Sequence, residues 1–230
     1  MMWPALLCAL GYALPKHIFI HGHLSIEGKK ISKSLGNTFD PQILIDQYGV
    51  DAVRYFLLRE IPSDDDGDFS FIRFADVYAA HLQNGLGNLI SRITTLTQKY
   101  PQVAEDIHVQ DIYTLYAPLF TTYHTAMATF QFHMVLARLW EIIDQSNTCI
   151  EETRLWEMIR TDPVRARVIL QTLVNNIYVI STVLIPFLPQ TAEKCFHALG
   201  ITTLSTSLPV SPVRLQKPAL PLFPPVEYYA

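Results

Sequence analysis

The sequence predicts a mainly α-helical fold, in which a small α/β portion is followed by an antiparallel helix bundle and a proline-rich C-terminal strap. Three observations predict it. Apolar residues recur every three or four positions over most of the chain after residue 70, the period of helices that pack one face on a core. Asp-Pro pairs at positions 40–41 and 162–163 indicate helix starts, because Asp caps free N–H groups and Pro suits the first turn. Six prolines between residues 205 and 225 exclude a helix there.

The composition is that of a folded protein with few charges. Half of the 230 residues are hydrophobic and 17% are charged, so the chain has enough apolar surface to form a core and is not disordered. The formal net charge of −4 argues against nonspecific coating of nucleic acid, which depends on many phosphate contacts, but it leaves a local basic site open. Cys8, Cys149 and Cys195 lie far apart with no metal-ligand spacing, which indicates reduced thiols and no zinc site.

The N-terminal residues are apolar and resemble the core of a signal peptide. No positive charge precedes them, because the first lysine is Lys16, and signal peptides begin with such a charge. We therefore expect a buried helix over residues 2–12 that ends near Gly11. The second apolar run, residues 177–188, contains Pro186 and is shorter than the roughly 20 residues that span a bilayer. A soluble protein without membrane association is expected.

The α/β portion covers residues 1–70. Residues 17–20, HIFI, are β-branched and aromatic, which predicts a strand. Residues 24–34 contain Gly28 and three lysines, which predicts a mobile basic loop. The other expected elements are a helix from Asp40-Pro41 to Gly49, a second helix capped by Asp51 and ending at Leu58, and an acidic turn over residues 62–68.

The bundle is predicted over residues 71–204 and the extended tail over residues 205–230. A long amphipathic helix is expected from residue 71 to residue 100, where Pro101 stops it. Its apolar face comprises Phe74, Tyr78, Leu82, Leu86, Leu89, Ile93 and Leu96. Further helices are expected over residues 111–129, 131–152 and 163–184, and a last helix ends at Leu199 with Gly200 after it.

A first candidate site is the basic loop Lys30-Ile31-Ser32-Lys33-Ser34, within GKKISKSLGN; we call residues 30–34 the KISKS loop. Two ammonium groups and two hydroxyls on one loop suit a polyphosphate, and a mobile lysine can meet the charge that builds up on phosphates in a transition state. On charge alone, a solvated surface loop is favoured over a phosphate site, because short lysine clusters are usually surface residues.

A second candidate site lies on the long helix and beyond it. Asn88 and Arg92 are four residues apart and so share one helix face, and their planar polar edges can read an unpaired base. Trp156 offers a platform on which a base can stack. Each of the three could instead be an ordinary packing or solvated residue.

The KISKS string resembles the KMSKS signature of class I aminoacyl-tRNA synthetases, with Ile31 in place of Met. Its surroundings, from HIFIHGHLSIEG through YGVDAVRYFLLREIP to DGDFS, resemble the methionyl-tRNA synthetases almost continuously. The resemblance implies that Lys33 stabilises the phosphates of ATP, with magnesium as counter-ion, while methionine attacks the α-phosphate. It also implies that Lys30, Ser32 and Ser34 shape a loop that closes over ATP, and that His21 and Gly22 lie near the adenine and ribose.

For RNA, the resemblance implies that Asn88, Arg92 and Trp156 read the CAU anticodon of tRNA(Met). The segment NTCIEETRLW, residues 147–156, resembles NRYIEETKPW of the family. Leu155 replaces a proline there, and the loss of that rigid residue is expected to loosen how the Trp156 indole is held. The tail segment KPALPLFPPVE resembles the end of the core enzyme in this family.

The resemblance covers nearly all of this chain, but the chain matches only part of such an enzyme. No counterpart is seen for the HIGH-type ATP motif, the methionine pocket or the zinc-bearing insertion. The sequence therefore predicts a cytoplasmic fragment that lacks the N-terminal half of the catalytic domain and is inactive alone. Its N-terminal helix should then present an exposed apolar patch formed by Met2, Trp3, Leu6, Leu7 and Leu10. Two alternatives stay open: a stand-alone tRNA anticodon-binding module without catalysis, and a helical structural protein without an RNA role.

Overall fold

A computed structural model describes residues 2–31, 40–105, 107–201, 214–218 and 220–226 of the chain. Within these ranges the chain forms a helical bundle with a small sheet beside its first helices. The predicted fold class, mainly α with a small α/β portion, is confirmed.

The α/β portion begins with an exposed helix and a short hairpin. Its elements are α1 (Met2–Ala9), β1 (Leu24–Ile26), β2 (Lys29–Lys30), α2 (Pro41–Tyr48), α3 (Val50–Glu60) and β3 (Gly67–Phe69). The strand order is β2-β1-β3: β1 pairs with β2 antiparallel and with β3 parallel, so that Leu24 lies opposite Gly67. Glu27 and Gly28 join β1 to β2 with positive φ angles of 50° and 70°, which is the conformation that a two-residue hairpin turn requires.

Two expectations for this portion were wrong. Residues 17–20 form no strand; Ile18 and Ile20 are 68% and 83% exposed. Their β-branched side chains favour an extended backbone, but a strand also needs a neighbouring strand to bind its N–H and C=O groups, and none of the described strands pairs with them. The expected basic loop is instead ordered over its first half, because residues 24–30 form the β1–β2 hairpin.

α1 forms where a helix was expected, but it is not buried. No residue of α1 is buried, and Met2, Trp3 and Leu10 are 75%, 73% and 70% exposed. The expected apolar patch at the N-terminal helix is therefore confirmed.

The bundle comprises nine α-helices and one π-helical stretch within the described ranges. They are α4 (Phe71–Val77), the π segment (Tyr78–Gly87), α5 (Asn88–Lys99), α6 (Pro101–Ala104), α7 (Ile112–Leu115), α8 (Ala117–Ala128), α9 (Phe132–Glu152), α10 (Leu155–Thr161), α11 (Pro163–Leu184) and α12 (Pro189–Ala198). α11 contacts α6, α9, α10 and α12 at the centre of the bundle. Its length and composition alone would suit a membrane span, but 56% of its most apolar window is buried inside the protein, as in a core helix.

The capping residues follow the Asp-Pro signals. Asp40 accepts from the Gln42 N–H at 2.9 Å at the start of α2, and Asp162 accepts from the Arg165 N–H at 3.1 Å at the start of α11. The expectation for Asp51 was wrong. Asp51 lies inside α3, is 5% exposed, and its carboxylate accepts from the Thr191 N–H at 2.6 Å. It therefore satisfies the first turn of α12, 140 residues away in the sequence.

The long amphipathic helix runs from α4 through the π segment into α5, and its expected face is buried except for the half-buried Leu96. Phe74, Tyr78, Leu82 and Leu86 are spaced by four, more than the 3.6 residues of one α-helical turn. In a regular α-helix that stripe would drift by about 40° per repeat. The wider π turns rotate less per residue and so offset that drift, which keeps all four side chains facing the core.

The described part of the strap, residues 214–218 and 220–226, has no helix or strand and packs on the bundle. Leu222 and Phe223 are buried. The Tyr78 hydroxyl and the Gln83 amide both donate to the Pro224 carbonyl at 2.8 Å. These bonds place the strap against the π segment.

Candidate functional site

The KISKS loop begins at the β1–β2 hairpin. Lys30 is the last residue of β2 and Ile31 follows it, both exposed. Ser32, Lys33 and Ser34 lie outside the described residues. A cleft of about 480 Å³ opens beside the start of the loop, where Lys30 and Ile31 face Asp66 and Gly67. The described base of the loop thus borders a space that can hold part of a small ligand.

Asp68, on β3, anchors the hairpin that carries Lys30. Its carboxylate accepts from the Ser25 hydroxyl and, at 2.8 Å, from the Gly28 N–H. These two bonds hold the pKa of Asp68 below its ordinary value, and the bond from Ser25 has the larger effect. The hairpin and its lysine are therefore fixed to the third strand.

His21 and Gly22 lie in the segment that precedes β1. The His21 ring donates through Nδ1 to the Gly22 carbonyl at 2.8 Å, and the ring is otherwise exposed. A Cβ at Gly22 would lie 1.9 Å from the Asp65 carbonyl oxygen, far inside any real contact. The next residue, His23, donates its N–H to the Asp66 carboxylate at 2.6 Å. Glycine is required at position 22 because the two backbones touch there.

We expect Gly22→Ala to detach this segment from the 65–66 turn. The methyl group overlaps a backbone atom that no rotamer change can move, and overpacking of this kind costs about 1–3 kcal/mol. Hydrogen exchange should show increased exchange over residues 22–26, with unchanged protection in α11. Gly28→Ala is the comparison variant that separates overlap from backbone strain, because a Cβ there meets nothing within 4 Å and its cost comes only from the φ of 70°, which Gly22 does not share. Equal exchange in the Gly22→Ala and parent chains would contradict the prediction.

Asn88 lines a groove of about 470 Å³ between the π segment, α5 and the strap, which we call the strap groove. Three amides (Gln83, Asn84, Asn88), the Ser91 hydroxyl and the Lys217 ammonium line it, together with prolines and Phe223 of the strap. Amide edges beside an apolar floor can bind the edge of an unpaired base and cover its face. Sequence reasoning missed Gln83, Asn84, Ser91 and Lys217, although Asn84 precedes Asn88 by four and so shares its helix face.

Arg92 lies one turn beyond Asn88 on α5 and outside the lining of the strap groove. Its guanidinium forms an ion pair with the Glu151 carboxylate at the end of α9, with 29% of the Arg92 side chain exposed. A guanidinium has five donors, so one carboxylate oxygen leaves donors for a second acceptor. Arg92 is thus presented at the surface by an acidic residue.

Trp156 lies on α10, just past the corner between α9 and α10. Arg154 makes that corner in the left-handed conformation, with a φ of 44°. Leu155 is fully buried and fixes the start of α10, while the Trp156 side chain is 37% exposed. Because Glu151 precedes this corner, the ion pair brings Arg92 to the same end of α9 as Trp156. The structure thus places Asn88 in the strap groove, and Arg92 and Trp156 at the corner.

A part-buried polar cluster forms where His81 of the π segment meets α3 and α9. The Tyr55 hydroxyl and His81 Nδ1 are 2.9 Å apart, and the Trp140 ring packs on Tyr55 at 4.2 Å between centroids. Burial lowers the pKa of His81 from 6.5, an effect that Arg59 and Arg73 reinforce and that Glu60 and Asp144 oppose. Burial also raises the pKa of Tyr55. Burial therefore favours the neutral forms of both rings, which share this hydrogen bond.

This cluster predicts acid sensitivity. A histidine whose pKa is lowered by folding binds fewer protons in the folded state, so its contribution to stability is present above pH 6.5 and is lost as the pH falls below that value. We expect the urea midpoint to fall between about pH 7.5 and pH 5.5, and to fall less in His81→Gln. His124→Gln is the control, since His124 lies on the exposed side of α8. Equal losses in the parent and His81→Gln would contradict the assignment.

The described residues contain no group of three His, Cys, Asp or Glu side chains that could hold a metal ion. Burial raises the pKa of Cys195 to about 12, so this thiol is not a nucleophile at neutral pH.

Comparisons with known proteins divide the chain into two matched parts. Residues 1–94 match the model of class I tRNA synthetases (M), and residues 105–211 match the anticodon-binding domain of methionyl-tRNA ligase. A methionine–tRNA ligase of Caldanaerobacter subterraneus subsp. tengcongensis is 40% identical over 211 residues, 88% of this chain and 33% of that protein. The Bacillus subtilis methionine–tRNA ligase is 36% identical over 212 residues, 87% of this chain and 32% of that protein.

Solved structures agree with these relatives. The methionyl-tRNA synthetase of Mycobacterium tuberculosis in complex with methionyl-adenylate superposes with a TM-score of 0.81 at 28% identity, over 97% of this chain and 47% of that one. A second structure of that protein bound by methionyl-adenylate gives a TM-score of 0.78 at 27% identity, with the same coverage. The chain thus spans about a third of the curated relatives and about half of the solved chains.

Proposed function

Because this chain belongs to the class I methionyl-tRNA synthetase family, we propose that it reads the CAU anticodon of tRNA(Met) for a methionine–tRNA ligase. The relatives are ATP-dependent enzymes that join methionine to its tRNA. The observation that carries the proposal is the presentation of two surfaces, of which the α9–α10 corner is built partly from the matched anticodon-binding region and the strap groove lies outside that region. These are the strap groove with Asn88, and the α9–α10 corner with Arg92 and an exposed Trp156 indole.

In this proposal each side chain has a distinct task. Asn88 supplies donor and acceptor groups to one base at the strap groove, Arg92 binds a second base edge or a phosphate, and Trp156 stacks on an unpaired base. Glu151 holds the Arg92 guanidinium in place before RNA arrives. Recognition by three positioned side chains does not require a strongly basic surface, which agrees with the net charge of −4.

We further propose that the KISKS loop closes over ATP. In that step the methionine carboxylate forms a bond to the α-phosphate, pyrophosphate leaves, and methionyl-adenylate results. Lys33 neutralises the phosphate charge that develops, with magnesium as counter-ion. The residues assigned to ATP are Lys30, Ile31, Ser32, Lys33, Ser34, His21 and Gly22. This role is supported by the cleft at the base of the loop and by the relatives solved with methionyl-adenylate.

Catalysis is proposed to need the remainder of the fold that the solved relatives have, on this polypeptide or on another, in the cytoplasm where tRNA and ATP are available. The alternative is a tRNA anticodon-binding module without catalysis. The module is the second candidate because this chain covers only about a third of the length of the curated relatives. In a chimera that supplies the remainder of that fold, ATP–pyrophosphate exchange that depends on methionine would support the ligase, and its absence with intact CAU binding would support the module.

The test of RNA reading is a binding titration of the 230-residue chain with labelled anticodon stem-loops, since unpaired loop bases are what such a site reads. One stem-loop carries CAU, and three others change one anticodon base each. We expect each change to weaken binding by about 5- to 100-fold, the scale of one lost base contact. Equal binding of all four would refute anticodon reading and leave only nonspecific RNA affinity.

A further inference from the structure

The helix that carries Asn88 changes its winding immediately before that residue. The Asn88 N–H donates to the Gln83 carbonyl five residues earlier, which is the hydrogen bond of a π turn. One residue added to a helical turn rotates everything beyond it by about 100° about the helix axis. The direction in which Asn88 and Arg92 point, relative to α4, is therefore set by the π segment.

Two side chains of α9 bind carbonyl groups inside the π segment. Trp140 Nε1 donates to the His81 carbonyl at 3.2 Å, and Asn147 Nδ2 donates to the Gly85 carbonyl at 3.2 Å. The two donors are seven residues apart, so they lie on one side of α9, two turns from each other. α9 thus holds the π segment at two points, and Asn147 holds the one nearer to Asn88.

The contacts of Asn147 indicate that its amide donor is what matters. Nδ2 also donates to the Ile143 carbonyl at 3.3 Å, and two carbonyl neighbours fix which end of the amide faces them. The other end, Oδ1, is buried and has no hydrogen-bond partner among the described residues. An apolar side chain of the same size would remove that unpaired oxygen, so packing alone does not account for an amide at this position.

We propose that Asn147 is a positioning residue for anticodon reading: by binding the Gly85 carbonyl it fixes the π segment and with it the rotation of Asn88 and Arg92. The effect on RNA binding rests on the proposed function. The effect on the conformation of the π segment does not depend on that function. It assigns no RNA contact to Asn147 itself.

The experiment compares Asn147→Leu with Asn176→Leu in the full chain. Asn176 is the control, because it is also a part-buried amide, and its hydrogen bonds join it to Ser146 at 2.8 Å and to the Tyr116 hydroxyl, neither of which belongs to the π segment. Thermal unfolding identifies any general loss of stability. Trp140→Phe is a second variant that keeps an aromatic ring against Tyr55 and removes the bond to His81, together with part of the buried volume of the indole.

Two readouts are measured. Hydrogen exchange at the Asn88 amide should speed up about tenfold or more in Asn147→Leu, less in Trp140→Phe, and remain unchanged in Asn176→Leu. The ratio of CAU to changed-anticodon binding should fall about tenfold in Asn147→Leu, and that loss should nearly vanish when Asn88 is already alanine. A general loss of stability would weaken binding to all stem-loops alike, so it would not lower this ratio. Its effect would also be the same whether or not Asn88 is present.

The two readouts separate the failure of each idea. Unchanged exchange at Asn88 in both α9 variants would overturn the positioning role whatever the RNA does. Faster exchange with an undiminished binding ratio would overturn the link between the π segment and base reading. A parent chain that binds all anticodons equally would refute the proposed function, while the exchange readout would still decide whether Asn147 holds the π segment. If Asn147→Leu does not fold, Asn147→Ala, which removes the same donor without adding an apolar side chain, is measured in its place, and the same outcomes decide both points.

Discussion

Replacing Arg92 with alanine is expected to weaken binding of the CAU stem-loop by about 10- to 100-fold while the fold stays intact. The guanidinium is presented at the surface by Glu151, and a lost bidentate base contact costs about 1–3 kcal/mol. Stability should change little, because exposed ion pairs contribute about 0–1 kcal/mol. Fluorescence anisotropy with labelled stem-loops gives the binding change, and thermal unfolding checks the fold.

Two further variants identify what Arg92 contributes. Arg138→Ala is the matched control, because Arg138 forms an exposed ion pair with Glu141 on α9 and is assigned no RNA contact. Glu151→Gln removes the negative charge beside Arg92, so it should leave CAU binding unchanged or tighten it, most visibly at low salt. If Arg92→Ala and Arg138→Ala weaken binding equally, Arg92 supplies only general positive charge.

Replacing Lys33 with alanine is expected to lower ATP–pyrophosphate exchange by about 100- to 1,000-fold. Removal of one group that stabilises charge developing in a transition state has an effect of this size. Because the chain covers about a third of its curated relatives, the measurement uses a chimera in which this chain replaces the corresponding segment of one such relative. The parent chimera supplies the reference rate.

The control for Lys33 is its neighbour Lys29, an exposed lysine of β2 outside the KISKS loop. Lys29→Ala removes a like charge four residues earlier in the sequence and should change the exchange rate by less than about threefold, the order of a screened surface charge. Methionine and ATP are varied separately, since a loss confined to the Michaelis constant for ATP would indicate ground-state binding rather than transition-state stabilisation. Exchange that survives Lys33→Ala would remove the catalytic role.

The sequence predicted those features that depend on neighbouring residues. Asp40 and Asp162 cap α2 and α11 as expected, because a cap needs only the next two or three N–H groups. The apolar face from Phe74 to Ile93 is buried as its spacing indicates. The π segment within that face was not predicted. Spacing by four was visible, but only packing against α9 and the strap decides whether the helix widens or the stripe drifts.

Features that join distant parts of the chain were missed or misjudged. Residues 17–20 have the composition of a strand, but no described strand pairs with them. Asp51 stands near a helix start and yet caps another helix. For the functional region, spacing placed Asn88 and Arg92 on one helix. It could not show that Lys217 of the strap faces Asn88 across a groove, or that Glu151 binds Arg92.

By itself, the sequence determined the helical architecture, the helix starts and the KISKS and anticodon-region strings that mark the family. These features depend on local capping hydrogen bonds, on the periodicity of apolar residues and on the order of residues within a short segment. Only the tertiary structure decided where the strap lies, which acid holds Arg92, and how the π segment sets the rotation of Asn88. Those depend on contacts between residues 59 to 141 positions apart, whose geometry no local pattern records.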